Sequence, residues 1–146
     1  MNDKHNIAAL KNNVAELSIL TSVGGRTIGY NLSGQPNVLL ADTGFAHEAP
    51  IQKPSLDNVK DFKAYNGHIV WLGPQSAWWT AQYIHIDKRI NADVWPPDPY
   101  LIYGNYSVVE QTKNSVVTLG PKSKILGPSI KKNKYSKRGW NCYVYC

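Results

Sequence analysis

The chain reads as an all-β protein, an antiparallel β-sandwich. Three observations carry this. Stretches with polar and apolar residues in alternation recur at 14–20, 26–32 and 106–119, and a period of two belongs to strands with one buried face. Turn residues punctuate them, "VGG" at 23–25 and "SGQPN" at 33–37, where glycine takes positive φ without penalty. No convincing amphipathic helix appears before residue 120. The 146 residues, 42% apolar and 18% charged, suffice for one domain with its own core.

Taken in order, "VAELSIL" (14–20) places Leu17 and Ile19 on one face and Glu16, Ser18 and Leu20 on the other. "RTIGYNL" (26–32) sets Ile28, Tyr30 and Leu32 on one side, and "VLLA" (38–41) is a short apolar run completing a meander. Residues 42–66 have no sustained period and read as a long loop, either a binding element or a connector, with a helical turn near Ser55 as cap. "HIVWL" (68–72) is a strand stopped by Gly73-Pro74, and "QSAWWTAQYIHID" is a short helix or an irregular loop. "VWPPDPY" is expected to be extended, because proline disfavours helix at its own position and the one before. "YLIYG", "YSVVEQTK" and "SVVTLG" return to strand, with Lys113-Asn114 as a hairpin turn.

The net charge is +6, which raises nucleic acid or an acidic surface as a partner. The excess sits entirely in the C-terminal part. Seven basic residues and no acid follow residue 120, leaving nine basic against ten acidic groups in residues 1–120. Beyond Gly120 the texture is basic and poor in alternation, so residues 127–146 read as a tail appended to a domain over 1–126. Cys142 and Cys146 lie in the last five residues. They would close only a tiny terminal loop and are too few for a zinc site, so they read as incidental thiols. No apolar run reaches the ~20 residues of a membrane span, and the first residues lack a secretory apolar block. The chain as written reads as cytoplasmic, or extracytoplasmic if the true start lies upstream.

Nine of the sixteen aromatic residues fall between Tyr65 and Tyr106, all of them Trp or Tyr. Such rings offer an apolar face and one hydrogen-bonding edge, which suits a sugar with its C–H face and hydroxyl rim. His68, Gln75, Gln82, His85 and Asp98 are interleaved as rim partners. Trp71, mid-strand, reads as core, and of the adjacent Trp78 and Trp79 one points in and the other out. Single-stranded nucleic acid also stacks on rings but in a positive groove. This segment holds Lys88 and Arg89 against Asp87, Asp93 and Asp98. There is no nucleophile elbow, phosphate loop or His-Glu-x-x-His motif, and nothing beyond sequence proximity pairs Asp93 with Asp98 as a glycosidase-type couple.

"NNVAELSILTSVGGRTIGYNLSGQPNVLLAD", "NGHIVWLGPQSAWW" and "WPPDPYLIYGNY" together resemble the galactose-mutarotase-like β-supersandwich, and within it a bacterial domain family of unknown function. The resemblance covers about residues 10 to 126. It implies a large antiparallel sandwich that binds carbohydrate in an open groove. Complete members are longer, and sandwiches of this kind commonly need about 200–250 residues. The chain therefore resembles the front part of such a domain, incomplete, with a foreign or out-of-frame end. The His and Glu that perform acid–base epimerisation in the mutarotases match no position here, so no catalytic residue is assigned.

The leading expectation is a non-catalytic carbohydrate binder. Trp78 and Trp79 stack on the sugar, and Arg26, His68, Gln75 and Asp98 hold its hydroxyls. The alternatives are a fragment of a sugar epimerase, lyase or hydrolase whose catalytic groups lie beyond this chain, and a basic-tailed nucleic-acid binder. No metal or cofactor is expected, nor a nucleic-acid or membrane partner. The sugar and the oligomeric state stay open.

Overall fold

A computed structural model describes residues 6–41, 53–55, 65–70, 83, 86–91, 98–125, 129–135 and 140–145, the last segment by its backbone. The fold is all-β. Strands β1 (Ile7–Lys11), β2 (Ala15–Leu20) and β3 (Arg26–Leu32) form one antiparallel sheet in the order β1-β2-β3. Strands β4 (Ser107–Gln111), β5 (Ser115–Leu119), β6 (Ser129–Tyr135) and β7 (Trp140–Tyr145) form a second, in the order β4-β5-β6-β7. Two short helices, α1 (Ile86–Ile90) and α2 (Pro99–Tyr103), are found among the described residues. No helix there is long and apolar enough to cross a membrane.

The alternation in β2 has the structural consequence expected of it. Leu17 and Ile19 join Ala8 and Leu10 of β1 and Val116 of β5 in a core between the two sheets. Leu20 faces the other way, into a second core with Val23, Ile28, Tyr65, Ile102 and Tyr103. The first sheet is thus covered on both faces, by the second sheet and by α2 with its flanking chain. Full burial of one aliphatic side chain contributes about 1.5–3 kcal/mol, so these two clusters outweigh the exposed Lys11–Glu16 ion pair between β1 and β2, a kind of contact worth ~1 kcal/mol at most.

Local chemistry sets the turns. The Asn12 carboxamide accepts hydrogen bonds from the Val14 and Ala15 amides at 2.8 and 2.9 Å, closing the β1–β2 hairpin as an Asx turn. Between β4 and β5 the Thr112 hydroxyl accepts from Asn114 and Ser115, so Lys113-Asn114 is the hairpin turn the sequence indicates. The outer edge of β3 is occupied. Asn37 accepts from the Tyr30 amide and donates to the Ile28 carbonyl, and Thr27 exchanges two backbone hydrogen bonds with His68 at 3.0 and 2.8 Å. Such cover blunts an edge that would otherwise invite another chain.

Three readings of local structure change, and one strand was not read at all. Residues 99–103 are helical, not extended or strand. Asp98 is the N-cap, its carboxylate accepting from the Tyr100 amide at 2.8 Å, and Pro99 fills the first helical position, where its missing N–H costs nothing. Residues 38–41 form no strand. Val38 and Leu40 are 67% and 82% exposed, and Ala41 makes a single bridge, to Asn66. Residues 7–11, which carry no strong strand signal, form β1. Finally, residues 129–135 and 140–145 are strands in register with β5 and with each other, where a basic tail was expected. Ile130, Lys132 and Lys134 are the buried alternate positions of β6, a period-two pattern that lysines on both faces conceal. Most of the reading of residues 42–66 as a loop with a turn near Ser55, and most of that for 68–87, lies outside the described residues.

Candidate functional site

The Thr21–Gly25 turn joins β2 to β3, and polar side chains converge on it from both sheets. Gly24 and Gly25 have φ of +71° and +53°, the left-handed region that glycine enters freely. The Gly24 amide donates to the Gly104 carbonyl at 2.8 Å, anchoring the turn to the end of α2. Beside the turn, Arg26 is buried. Its Nη1 donates to the Asn66 carbonyl at 2.8 Å and its Nη2 to the Ile102 carbonyl at 3.1 Å, and the guanidinium lies 5.1 Å from the Tyr65 ring centre. Burial pushes Arg26 down to about 10, opposed by Tyr103 and Tyr65. It remains charged at neutral pH.

From the second sheet come Lys132 and Lys134, 3% and 5% exposed. Lys132 Nζ donates to the Gly24 carbonyl at 2.6 Å and approaches the Gly25 carbonyl at 3.5 Å. Lys134 Nζ donates to the Gly25 carbonyl at 3.1 Å and to Thr27 Oγ1 at 2.8 Å. Sharing one carbonyl caps the separation of the two ammonium nitrogens at the sum of their distances to it. At about 6 Å and an effective dielectric of ~20, two unit charges repel by roughly 3 kcal/mol. The face of Tyr106 receives part of this charge, with Lys132 Nζ 4.4 Å from the ring centre.

His68 stands at the edge of this cluster, exposed. Its antiparallel bridge to Thr27 puts the two side chains on one face, the face that meets Lys134. Burial, then Lys134 and Lys132, hold its imidazole below the ordinary value of 6.5. The unfolded chain therefore takes up this proton first. The stabilising difference is full above 6.5 and is lost as pH falls through the lowered native value. Urea midpoints of the parent protein are expected to drop on acidification below about 6.5 more steeply than those of His68→Gln. Equal slopes would show that neither burial nor the two lysines lower the His68 imidazole.

Asp98 lies at the far end of α2, 0% exposed. Besides capping α2 it accepts a hydrogen bond from Ser123 Oγ, fastening the helix to the segment leading into β6. Burial pushes its carboxyl above the usual carboxylate range, and Ser123 with the Tyr100 and Leu101 amides pulls it back. Arg26 and Asp98 thus grip the two ends of α2, on the opposite side of the first sheet from His68. Gln75, Trp78 and Trp79 lie outside the described residues. Of the described aromatic residues between 65 and 106, Tyr65, Tyr103 and Tyr106 are core. Tyr83 is 80% exposed, with the Arg89 guanidinium 4.9 Å from its ring centre.

Among the described residues no three or more His, Cys, Asp or Glu gather as a metal would require. A family model described as a domain of unknown function, DUF4380, matches residues 6–138. The chain belongs to this family. Comparison with curated proteins and with solved structures finds no match. The DUF4380 stretch takes in the Gly24-Gly25 turn, His68, α2 and the whole of β6, so both inward lysines are part of the family domain. Sequence reasoning missed Lys132, Lys134, Ser123 and the structural role of Tyr106. The alternation of Ile130, Lys132 and Lys134 was the available signal for the lysines.

Proposed function

We propose that this DUF4380 domain binds carbohydrate on a mutarotase-like sandwich and acts as a binder, not a catalyst, in this form. The observation that carries the reading is Tyr83. Its ring stands almost wholly in solvent with a guanidinium over it, at the end of the stretch holding Trp78 and Trp79. An exposed ring held beside a donor-rich cation suits a sugar, whose C–H face stacks while its hydroxyls take the N–H groups. His68 opens the same stretch from the covered edge of β3, so both ends of the tryptophan-rich segment flank polar groups suited to a hydroxyl rim. Gln75 belongs to that segment. Arg26 and Asp98, both buried, support it by fixing the two ends of α2. Burial of Lys132 and Lys134 withdraws two of the seven C-terminal cations from any phosphate backbone, which weighs against nucleic acid.

Tryptophan fluorescence titrated with neutral and acidic mono- and oligosaccharides tests this. A saturable change is expected with at least one sugar, weakened about tenfold or more in Trp78→Ala or Trp79→Ala and in Tyr83→Ala. No response to any sugar would end the proposal.

A further inference from the structure

Asn66-Gly67 is the one Asn-Gly pair in the sequence. The two residues have φ of +55° and +69°, and Asn66 is the one non-glycine residue at positive φ among the described residues. Asparagine tolerates that region better than most side chains. The backbone here is tied down. The Asn66 carbonyl accepts from Arg26 Nη1 at 2.8 Å, Asn66 bridges Ala41, and the Gly67 amide donates to the Leu40 carbonyl at 2.7 Å. The Asn66 carboxamide is not tied down. The residue is exposed, and among the described residues its side chain makes no hydrogen bond. The tie to Leu40 is the one most open to water. Leu40 is 82% exposed and residues 38–41 form no strand, so a local opening frees the Gly67 nitrogen at little cost.

We propose that Asn66 is a site of spontaneous modification, in which the Gly67 amide nitrogen closes on the Asn66 carboxamide and residue 66 becomes aspartate or isoaspartate. The nitrogen attacks the side-chain carbonyl carbon and a five-membered imide forms. The side-chain nitrogen leaves as ammonia, taking up the Gly67 amide proton. Water then opens the ring. Attack at the side-chain carbonyl restores the original main chain and leaves aspartate. Attack at the main-chain carbonyl breaks its bond to the Gly67 nitrogen and leaves it a free carboxylate, with the main chain routed through the side chain as isoaspartate. Glycine eases the first step because no β-carbon crowds its nitrogen. Arg26 biases the second. The main-chain carbonyl is the one its guanidinium holds, and a donor fixed there stabilises the oxyanion formed when water adds. The resulting carboxylate faces a buried cation, a charge-assisted contact in place of a neutral one. Isoaspartate also adds one carbon to the main chain between the Arg26 contact and the His68–Thr27 bridge, so the modification loosens the cover of the β3 edge.

The test is incubation of the full chain in neutral buffer, native and urea-unfolded in parallel, followed by peptide mapping with mass spectrometry. Native chain is expected to convert at Asn66 before any other asparagine, about two- to tenfold more slowly than unfolded chain, the worth of the Gly67–Leu40 hydrogen bond. The isoaspartate share is expected to be higher in native chain than in unfolded chain, where Arg26 grips nothing. Asn66→Gln, whose longer side chain would have to close a six-membered ring, is expected to be spared. Native chain that stays intact at position 66 while unfolded chain converts, or that converts first at another asparagine, would overturn the inference. Undiminished conversion of Asn66→Gln would do the same, since the chemistry would then lie elsewhere. Equal isoaspartate shares would overturn the part given to Arg26.

Discussion

Alanine at position 24 is expected to cost more than about 3 kcal/mol of stability. Two physical terms add. A non-glycine residue held in the left-handed region costs roughly 1–2 kcal/mol, and Gly24 sits there at φ +71°. A Cβ would also overlap the carbonyl of Ile102, which is backbone and cannot turn aside. That carbonyl accepts from Arg26 Nη2, and the Gly24 amide itself bonds to Gly104, so relief would have to move α2 as a unit. Gly34 provides the control. Its φ is +74°, yet a Cβ there meets nothing within 4 Å, so Gly34→Ala should lose only the ~1–2 kcal/mol of backbone strain. Urea unfolding of both variants isolates the close approach as their difference. Equal losses would mean that α2 yields freely. Since whole domains are stable by only about 5–15 kcal/mol, the larger loss should also show as reduced soluble yield.

How far the sequence announces this arrangement depends on which force decides each segment. The β2, β3, β4 and β5 strands were legible because apolar, β-branched runs are set off by turn residues, although only in β2 does alternation match burial, at Leu17 and Ile19, while β4 is exposed throughout and β5 is buried at four consecutive positions. Helix α2 was not, although Asp98-Pro99 is a helix-start signature. The neighbouring prolines and the strand-like "YLIY" outweighed it, and only the Ser123 hydroxyl, 25 residues away, shows why the cap is buried. Strand β6 was hidden for a different reason. Lysine inside a sandwich defies the expectation that charge stays wet, and its acceptability here depends on two carbonyls and a ring more than 20 residues distant in sequence. The aromatic enrichment between 65 and 106 mixed two populations. Tyr65, Tyr103 and Tyr106 pack inside, whereas Tyr83 faces solvent, and composition cannot separate rings that fill a core from rings that display a surface.

Tyr106 is where the two sheets depend on each other, and removing its ring is expected to cost about 3–5 kcal/mol. A Cβ at Gly25 would come within 2.7 Å of this ring and one at Gly120 within 2.6 Å, so the ring fills a slot left open on both sides by absent side chains. Its amide donates to the Thr21 carbonyl at 2.8 Å and its hydroxyl to the Leu101 carbonyl at 3.0 Å, while Lys132 approaches its face from β6. Tyr106→Phe removes only the hydroxyl and should cost about 1–2 kcal/mol, the lost hydrogen bond plus an unmet buried carbonyl. Tyr106→Ala also leaves a cavity beside a buried ammonium, which then loses the ring and gains exposure to water. Thermal unfolding of both variants checks this. If Phe costs as much as Ala, the hydroxyl and not the ring holds the junction. A double-mutant cycle with Lys132→Met gives the sharper answer. A coupling of about 1 kcal/mol or more would assign the ring a direct part in keeping the lysine charged and buried. A coupling near zero would place that task on partners other than the ring, the Gly24 and Gly25 carbonyls of the turn among them.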